Sequence, residues 1–304
     1  MSDIKLFHLS PTGPVEITGS SAALEKSLQT LIEKHLEAFL GVRFLATEYS
    51  TGKDHCGRMD TLGIDENGCP VIIEYKRSSN ENVINQGLFY LDWLMDHKKD
   101  FEWLVMEKYG KEAAALVEWS SPRLLCIAGD FTKYDSHAVK QMNRNIELIR
   151  YRHYGDDLLL LDLVNSTAAP TTAIVPSSVA PVAGSRAKTV SEYLAQADQE
   201  LSDRYEALKA WMLALGDDVQ LKVLKNYFAF RRIKNFACIE VHTKTRNLLV
   251  YVKIDPDTIE HQPGFTRDVR NIGHFGTGDL ELTIHTMADL EKAKPLIERS
   301  YEAS

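Results

Sequence analysis

The chain has 304 residues, 44% hydrophobic and 26% charged, and carries a net charge of −8 at pH 7. That is ordinary globular composition, long enough for two domains with real cores, and the acidic balance excludes a general polycation. Any contact with nucleic acid therefore needs a local basic surface.

No apolar run approaches the roughly 18 residues that span a bilayer. The opening MSDIKLFHLS has no signal-peptide core, so a cytoplasmic protein with no membrane partner is expected. Cys56, Cys69, Cys126 and Cys238 show no C-x-x-C spacing and read as reduced thiols rather than a disulfide frame or a zinc site.

In chain order, IKLFHLSPTGPVEIT predicts a hairpin. A helix over about 21–40 follows, with Leu24, Leu28, Leu31, Ile32, His35, Leu36 and Phe39 on one stripe. Strands are expected near 43–50, 58–65 and 70–77, then a long helical region over 82–118 that breaks near 98–100 or at Gly110. RLLCIAGDF predicts a strand, YDSHAVKQMNRN a helix, and IELIRYRHYGDDLLLLDLV a closing hairpin.

Residues 165–187 are Ala, Pro, Ser, Thr and Val without period, which reads as a linker. It divides a domain over 1–164 from one over 188–304. The second domain predicts one or two helices over 190–230, strands at 236–242, 247–254 and 279–285, and a last helix over about 287–301 with Thr286 and Asp289 in capping-box positions. The expected class is an α/β first domain, a mixed sheet flanked by helices, with a smaller α+β second domain.

The segment GRMDTLGIDENGCPVIIEYKRS holds the chemistry. Glu74 and Lys76 share a strand face with Ile72, and Asp60 shares one with Leu62 and Ile64. A three-residue loop, Glu66-Asn67-Gly68, would place Asp60 opposite Glu74 and on its face; a two-residue loop would turn it away. In the odd register two carboxylates and an ammonium meet. Hard oxygen ligands suit Mg2+ or Mn2+, and such an ion can polarise a phosphate and activate water. Lys76 could hold that water or the developing charge. A structural ion pair between Lys76 and one acid is the other reading.

On the first helix Glu25 falls inside the apolar arc, whereas Glu33 and Glu37 point to the far side. Glu25 is thus a candidate metal ligand, with Glu48 its competitor. Gln86 and Tyr90 are i,i+4 neighbours on the helix after Lys76. Arg231, Arg232, Lys234, Lys244 and Arg246 cluster around a hairpin as a candidate phosphate-tracking surface, or as a solvated basic face.

The order of a helix acid, G-R-M-D, I-I-E-Y-K and a helix with Q-x-x-x-Y resembles the PD-(D/E)XK nuclease superfamily. Within it, residues 22–95 are most similar to the nuclease domain of the mismatch and branched-DNA endonucleases. Met59 stands where the superfamily's Pro precedes the motif Asp.

The resemblance implies a restriction-endonuclease-like fold and Mg2+- or Mn2+-dependent hydrolysis of DNA. Asp60, Glu74, Lys76 and Gln86 would be catalytic, and Asp60, Glu74 and Glu25 (in LEKSLQ) would hold metal. Arg58, Arg77, Tyr90, Arg231, Arg232 and Lys234 are expected to touch nucleic acid. RNA as substrate, a homodimer and a protein partner through the second domain stay open. So does a non-catalytic nucleic-acid-binding or protein-interaction regulator that keeps the fold. RNIGHFGTGDLELTI resembles a domain appended to such nuclease-like domains, and nothing about function follows from it.

Overall fold

Val71, Ile72 and Ile73 run consecutively with no polar alternate, the pattern of a strand covered on both faces. In the computed structural model, which describes residues 4–21, 25–76, 82–167 and 188–304, all three are fully buried near the middle of a sheet. The chain divides into two units, Met1–Ala169 and Pro170–Ser304.

The first unit opens with the hairpin β1 (Leu6–Ser10) and β2 (Gly13–Ile17), then β3 (Gly19–Ser20). The predicted first helix is two, α1 (Glu25–Lys34) and α2 (Leu36–Leu40), broken at His35; residues 22–24 lie outside the described residues. β4 (Val42–Ser50), the short α3 (Gly52–His55), β5 (Arg58–Asp65) and β6 (Pro70–Lys76) follow.

The long helical region is α4 (Asn82–Asp96) and α5 (Lys98–Ala115), parted at His97. Gly110 leaves helical geometry at φ 89°, so both expected break points are used. β7 (Arg123–Ala128), α6 (Lys133–Gln141), β8 (Asn145–Tyr154) and β9 (Leu158–Thr167) complete the unit. β9 takes in residues 165–167 of the predicted linker because they find partners: Asn165 Nδ2 donates to the Ser136 carbonyl at 2.7 Å.

The sheet order is β3-β8-β7-β6-β5-β4, with β9 also on β8. β6–β7 and β7–β8 are parallel and the rest antiparallel, a mixed sheet flanked by helices. Alternate residues divide between its faces. Leu62, Ile64, Ile72, Leu124 and Cys126 join Ile84, Leu91 and Leu94 of α4 in one core. Val71, Ile73 and Tyr75 point the other way, where α1 packs on β5 and β6.

The β5–β6 turn sets the register. Thr61 pairs with Ile73 and Ile64 with Pro70, while the Asp65 amide donates to the Cys69 carbonyl at 2.9 Å, closing a three-residue loop. Gly68 sits in the left-handed region at φ 77°, and a Cβ there would lie 2.7 Å from the Leu116 carbonyl oxygen. The loop chemistry read in the sequence therefore puts Asp60 at the position facing Glu74.

The second unit has α7 (Val190–Ala195) and α8 (Gln199–Leu213), then β10 (Gln220–Val223) and β11 (Phe228–Arg231). Helices were expected through residue 230. The Gly216–Asp218 break ends them, and Leu221/Val223 with Phe228/Phe230 alternate at a strand period. β12 (Asn235–His242), β13 (Asn247–Val252), β14 (Thr266–Asp268, not foreseen), β15 (Leu280–Ile284) and α9 (Met287–Glu302) follow, with the Thr286/Asp289 capping box formed.

Its antiparallel sheet runs β10-β11-β12-β13-β15-β14, and one face packs against the helices around Phe230, Ile239, Val250 and Leu282. None of the four cysteines forms a disulfide among the described residues. Among the described residues no helix is long and apolar enough to cross a membrane.

Candidate active site

The backbone ladder between β5 and β6 ends at Thr61–Ile73, and one step further two carboxylates take its place. The Asp60 amide donates to Glu74 Oε1 at 3.2 Å, and the Tyr75 amide donates to Asp60 Oδ2 at 3.0 Å. Each acid is pinned by the other strand's main chain. Glu74 is wholly buried, and its Oε2 has no hydrogen-bond partner among the described residues.

Burial pushes the Glu74 carboxyl up to about 8, and the neighbouring Asp60 charge adds to the rise. Asp60 is raised too, first by burial, against the opposing pull of the Tyr75 amide and Lys76. Two adjoining acids in a dry place cannot both ionise cheaply.

Lys76 stands on the same strand face as Glu74, and its charge lowers both acids. Its Nζ lies 3.9 Å from Glu25 Oε2. Glu25 was expected on the buried arc of its helix; it is the first residue of α1 and is exposed. Glu33, expected to face away, instead accepts from the Thr61 hydroxyl at 2.6 Å. The helix turns Leu28, Gln29 and Ile32 to the sheet, which carries Glu33 to its margin.

Glu48, the competing ligand, lies opposite Asp60 between the pairs Thr47–Thr61 and Tyr49–Met59. It adopts φ 48° and binds Lys26 Nζ at 2.5 Å and Arg58 Nη1 at 3.0 Å. The Lys26 hydrogen bond foremost, and the Arg58 charge with it, lower its carboxyl.

Gln86 Nε2 donates to the Tyr90 hydroxyl at 3.0 Å, and that hydroxyl accepts from the Arg58 amide at 3.2 Å. Gly57 makes room for this ring, since a Cβ there would lie 2.5 Å from Tyr90. The pair thus anchors the entry to β5. Arg77 lies outside the described residues.

Several cations of the second-unit cluster are engaged within their own unit. Arg231 is buried and donates to the carbonyls of Arg232 and Ile233, so it serves its own hairpin. Arg232 pairs with Asp218 at 2.7 Å and lies over the Tyr301 ring. Lys234 is half-buried. Arg246 pairs with Asp198 at 3.0 Å.

The site suits a hard divalent cation in part. Glu74 Oε2 is a desolvated oxygen with no partner among the described residues, and Asp60 is adjacent. One or two carboxylates, completed by water and phosphate, are an ordinary Mg2+ set. Glu25 lies beside Lys76 Nζ, and among the described residues no three His, Cys, Asp or Glu side chains gather to hold a metal.

Sequence reasoning missed Gln29, Thr61 and Tyr75, which with Glu33 form a polar group on the opposite face of the strands. An amide on the apolar arc of α1, next to Leu28, was the available signal.

Residues 190–304 match a family described as a domain of unknown function, DUF5655. An uncharacterized protein of Haemophilus influenzae is 29% identical over 287 residues, 91% of this chain and 92% of that one. A repair endonuclease from Pyrococcus abyssi is 19% identical, with 45% of this chain and 53% of that one covered at a TM-score of 0.29. The EndoMS–dsDNA2 complex is 20% identical, over 43% of this chain and 47% of that one, at a TM-score of 0.27. The chain spans about half the length of these two solved structures.

Proposed function

We propose that the first unit is a metal-dependent endonuclease that hydrolyses DNA phosphodiesters at Asp60, Glu74 and Lys76. The observation that carries this reading is the wholly buried Glu74, one oxygen tied to the Asp60 amide and the other with no partner among the described residues. A structural acid would be saturated with donors, because a buried carboxylate without partners is costly.

A bound Mg2+ or Mn2+ would polarise the phosphate and lower the pKa of a water. Asp60 and Glu74 would hold it through the oxygens that the main chain leaves open. Lys76, steered by Glu25, supplies an ammonium to orient water or meet charge developing on the phosphate. Tyr90 and Gln86 hold the backbone at Arg58, whose exposed guanidinium can take a flanking phosphate in place of Glu48. The order of Asp60, Glu74-x-Lys76 and Gln86-x-x-x-Tyr90, which resembles that of PD-(D/E)XK nucleases, supports DNA as the polymer. Arg232 and Lys234 are the second unit's candidates for substrate contact.

The test is a panel of single-stranded, duplex, mismatched and branched DNA, with RNA alongside, incubated with Mn2+ and with Asp60→Ala and Lys76→Ala as controls. Cutting by the wild type alone supports the reading, and the RNA arm decides the sugar. The second reading is a non-catalytic nucleic-acid-binding regulator, which a Glu74 kept protonated by burial would fit. Binding without cutting, unchanged in Asp60→Ala and indifferent to Mn2+, would establish that instead.

A further inference from the structure

The main chain of Asp60 is held on both sides of its Cα by side chains. Its N–H goes to Glu74 Oε1, and its carbonyl accepts from Gln29 Nε2 at 2.7 Å. Gln29 is buried on α1, across the strands from the α4 core. Lys26 Nζ donates to Gln29 Oε1 at 3.3 Å, which fixes the amide with its NH2 group toward the sheet. The NH2 group also reaches Thr47 Oγ1 at 3.2 Å and Glu33 Oε1 at 3.0 Å. Glu33 in turn accepts from Thr61. One amide therefore touches β4, β5 and its own helix where the β5–β6 ladder has ended.

We propose that Gln29 is a positioning residue for the metal-binding pair: by clamping the Asp60 carbonyl from the far face of the sheet, it fixes the Asp60 carboxylate beside Glu74. The inference rests on the active-site reading above. A carboxylate carried on a short side chain from a loosened backbone loses its aim, because a metal ligand is only as well placed as the groups behind it. In the intact chain the Asp60 peptide has no ladder partner on β6 to take over if Gln29 is removed. Thr61, by contrast, keeps its pairing with Ile73 whatever its side chain. The two positions thus separate positioning from general packing, although both belong to the same polar group.

The experiment titrates Mn2+ into the full chain by calorimetry, without substrate, for wild type, Asp60→Ala, Gln29→Met and Thr61→Val. Gln29→Met is expected to weaken Mn2+ binding about tenfold, the scale of outer-shell effects on metal affinity. It should also speed amide exchange across residues 58–62 and lower kcat with KM within about twofold. Thr61→Val should reduce thermal stability yet bind Mn2+ like the wild type.

Should Gln29→Met fail to fold, Gln29→Asn withdraws the donor by one methylene and is read in the same way. Mn2+ affinity within twofold of wild type in the Gln29 variant overturns the proposal, as does an equal loss in Thr61→Val. Wild type that binds no Mn2+, matching Asp60→Ala, shows instead that the active-site reading has failed, and the role of Gln29 falls with it.

Discussion

Asp65 joins Arg123 to the β5–β6 turn: its Oδ2 takes Arg123 Nη1 at 2.9 Å, while its Oδ1 accepts from the amides of Asn67 and Cys69. Arg123 also forks onto Glu147 through two bonds of 2.8 Å. All three charges are buried. The loop that sets the register of Asp60 against Glu74 is therefore fastened to β7 and β8.

Arg123→Met should destabilise the first unit by about 3–5 kcal/mol, because two buried carboxylates lose the cation they share. Urea unfolding measures this. Replacing Asp65 and Glu147 with Asn and Gln in the same chain should recover much of the loss.

Gly68→Ala should cost about 1–3 kcal/mol, since an L residue at φ 77° is strained and its Cβ meets the Leu116 carbonyl. Metal titration should weaken with it if the turn fixes the register. Unchanged Mn2+ affinity in a destabilised variant would show that Asp60 is aimed independently of the turn.

The Glu74 shift gives a pH dependence with a definite sign. Its carboxyl is raised from the ordinary 4.5 to about 8, chiefly by burial, so between those values the native state keeps a proton that the unfolded chain has lost. Stability of the metal-free protein should fall as pH rises across that window and level off above it. Melting temperatures taken in chelator for wild type and Glu74→Gln test this: the difference between them should be largest at the alkaline end.

Arg231→Leu should lower the melting temperature of the second unit and leave nucleic-acid affinity unchanged, because the guanidinium serves backbone carbonyls. A parallel loss of affinity in Arg231→Leu, with no loss of stability, would restore it to the basic surface.

What could be read from the sequence followed the range of the forces involved. The three-residue loop was legible because Gly68 and the alternation of Ile72, Glu74 and Lys76 are local facts. The break at His97 and the kink at Gly110 were legible for the same reason. Glu25 and Glu33 were misassigned because a helical wheel gives the angle of a residue but not where the helix ends relative to the sheet. Arg231 was misread because burial of a cation depends on carbonyls that the fold brings to it. The β10–β11 hairpin was hidden behind helix-forming neighbours, and its period of two was the signal passed over.

The charged gap at the end of the β5–β6 ladder has an evolutionary side. Exchanging Asp60 or Glu74 for a residue that does not titrate removes a desolvated carboxyl from the sheet, so loss of the chemistry and gain in robustness run in one direction. Copies of this chain released from selection should drift downhill toward sturdier, inert descendants that keep the architecture and abandon the acids.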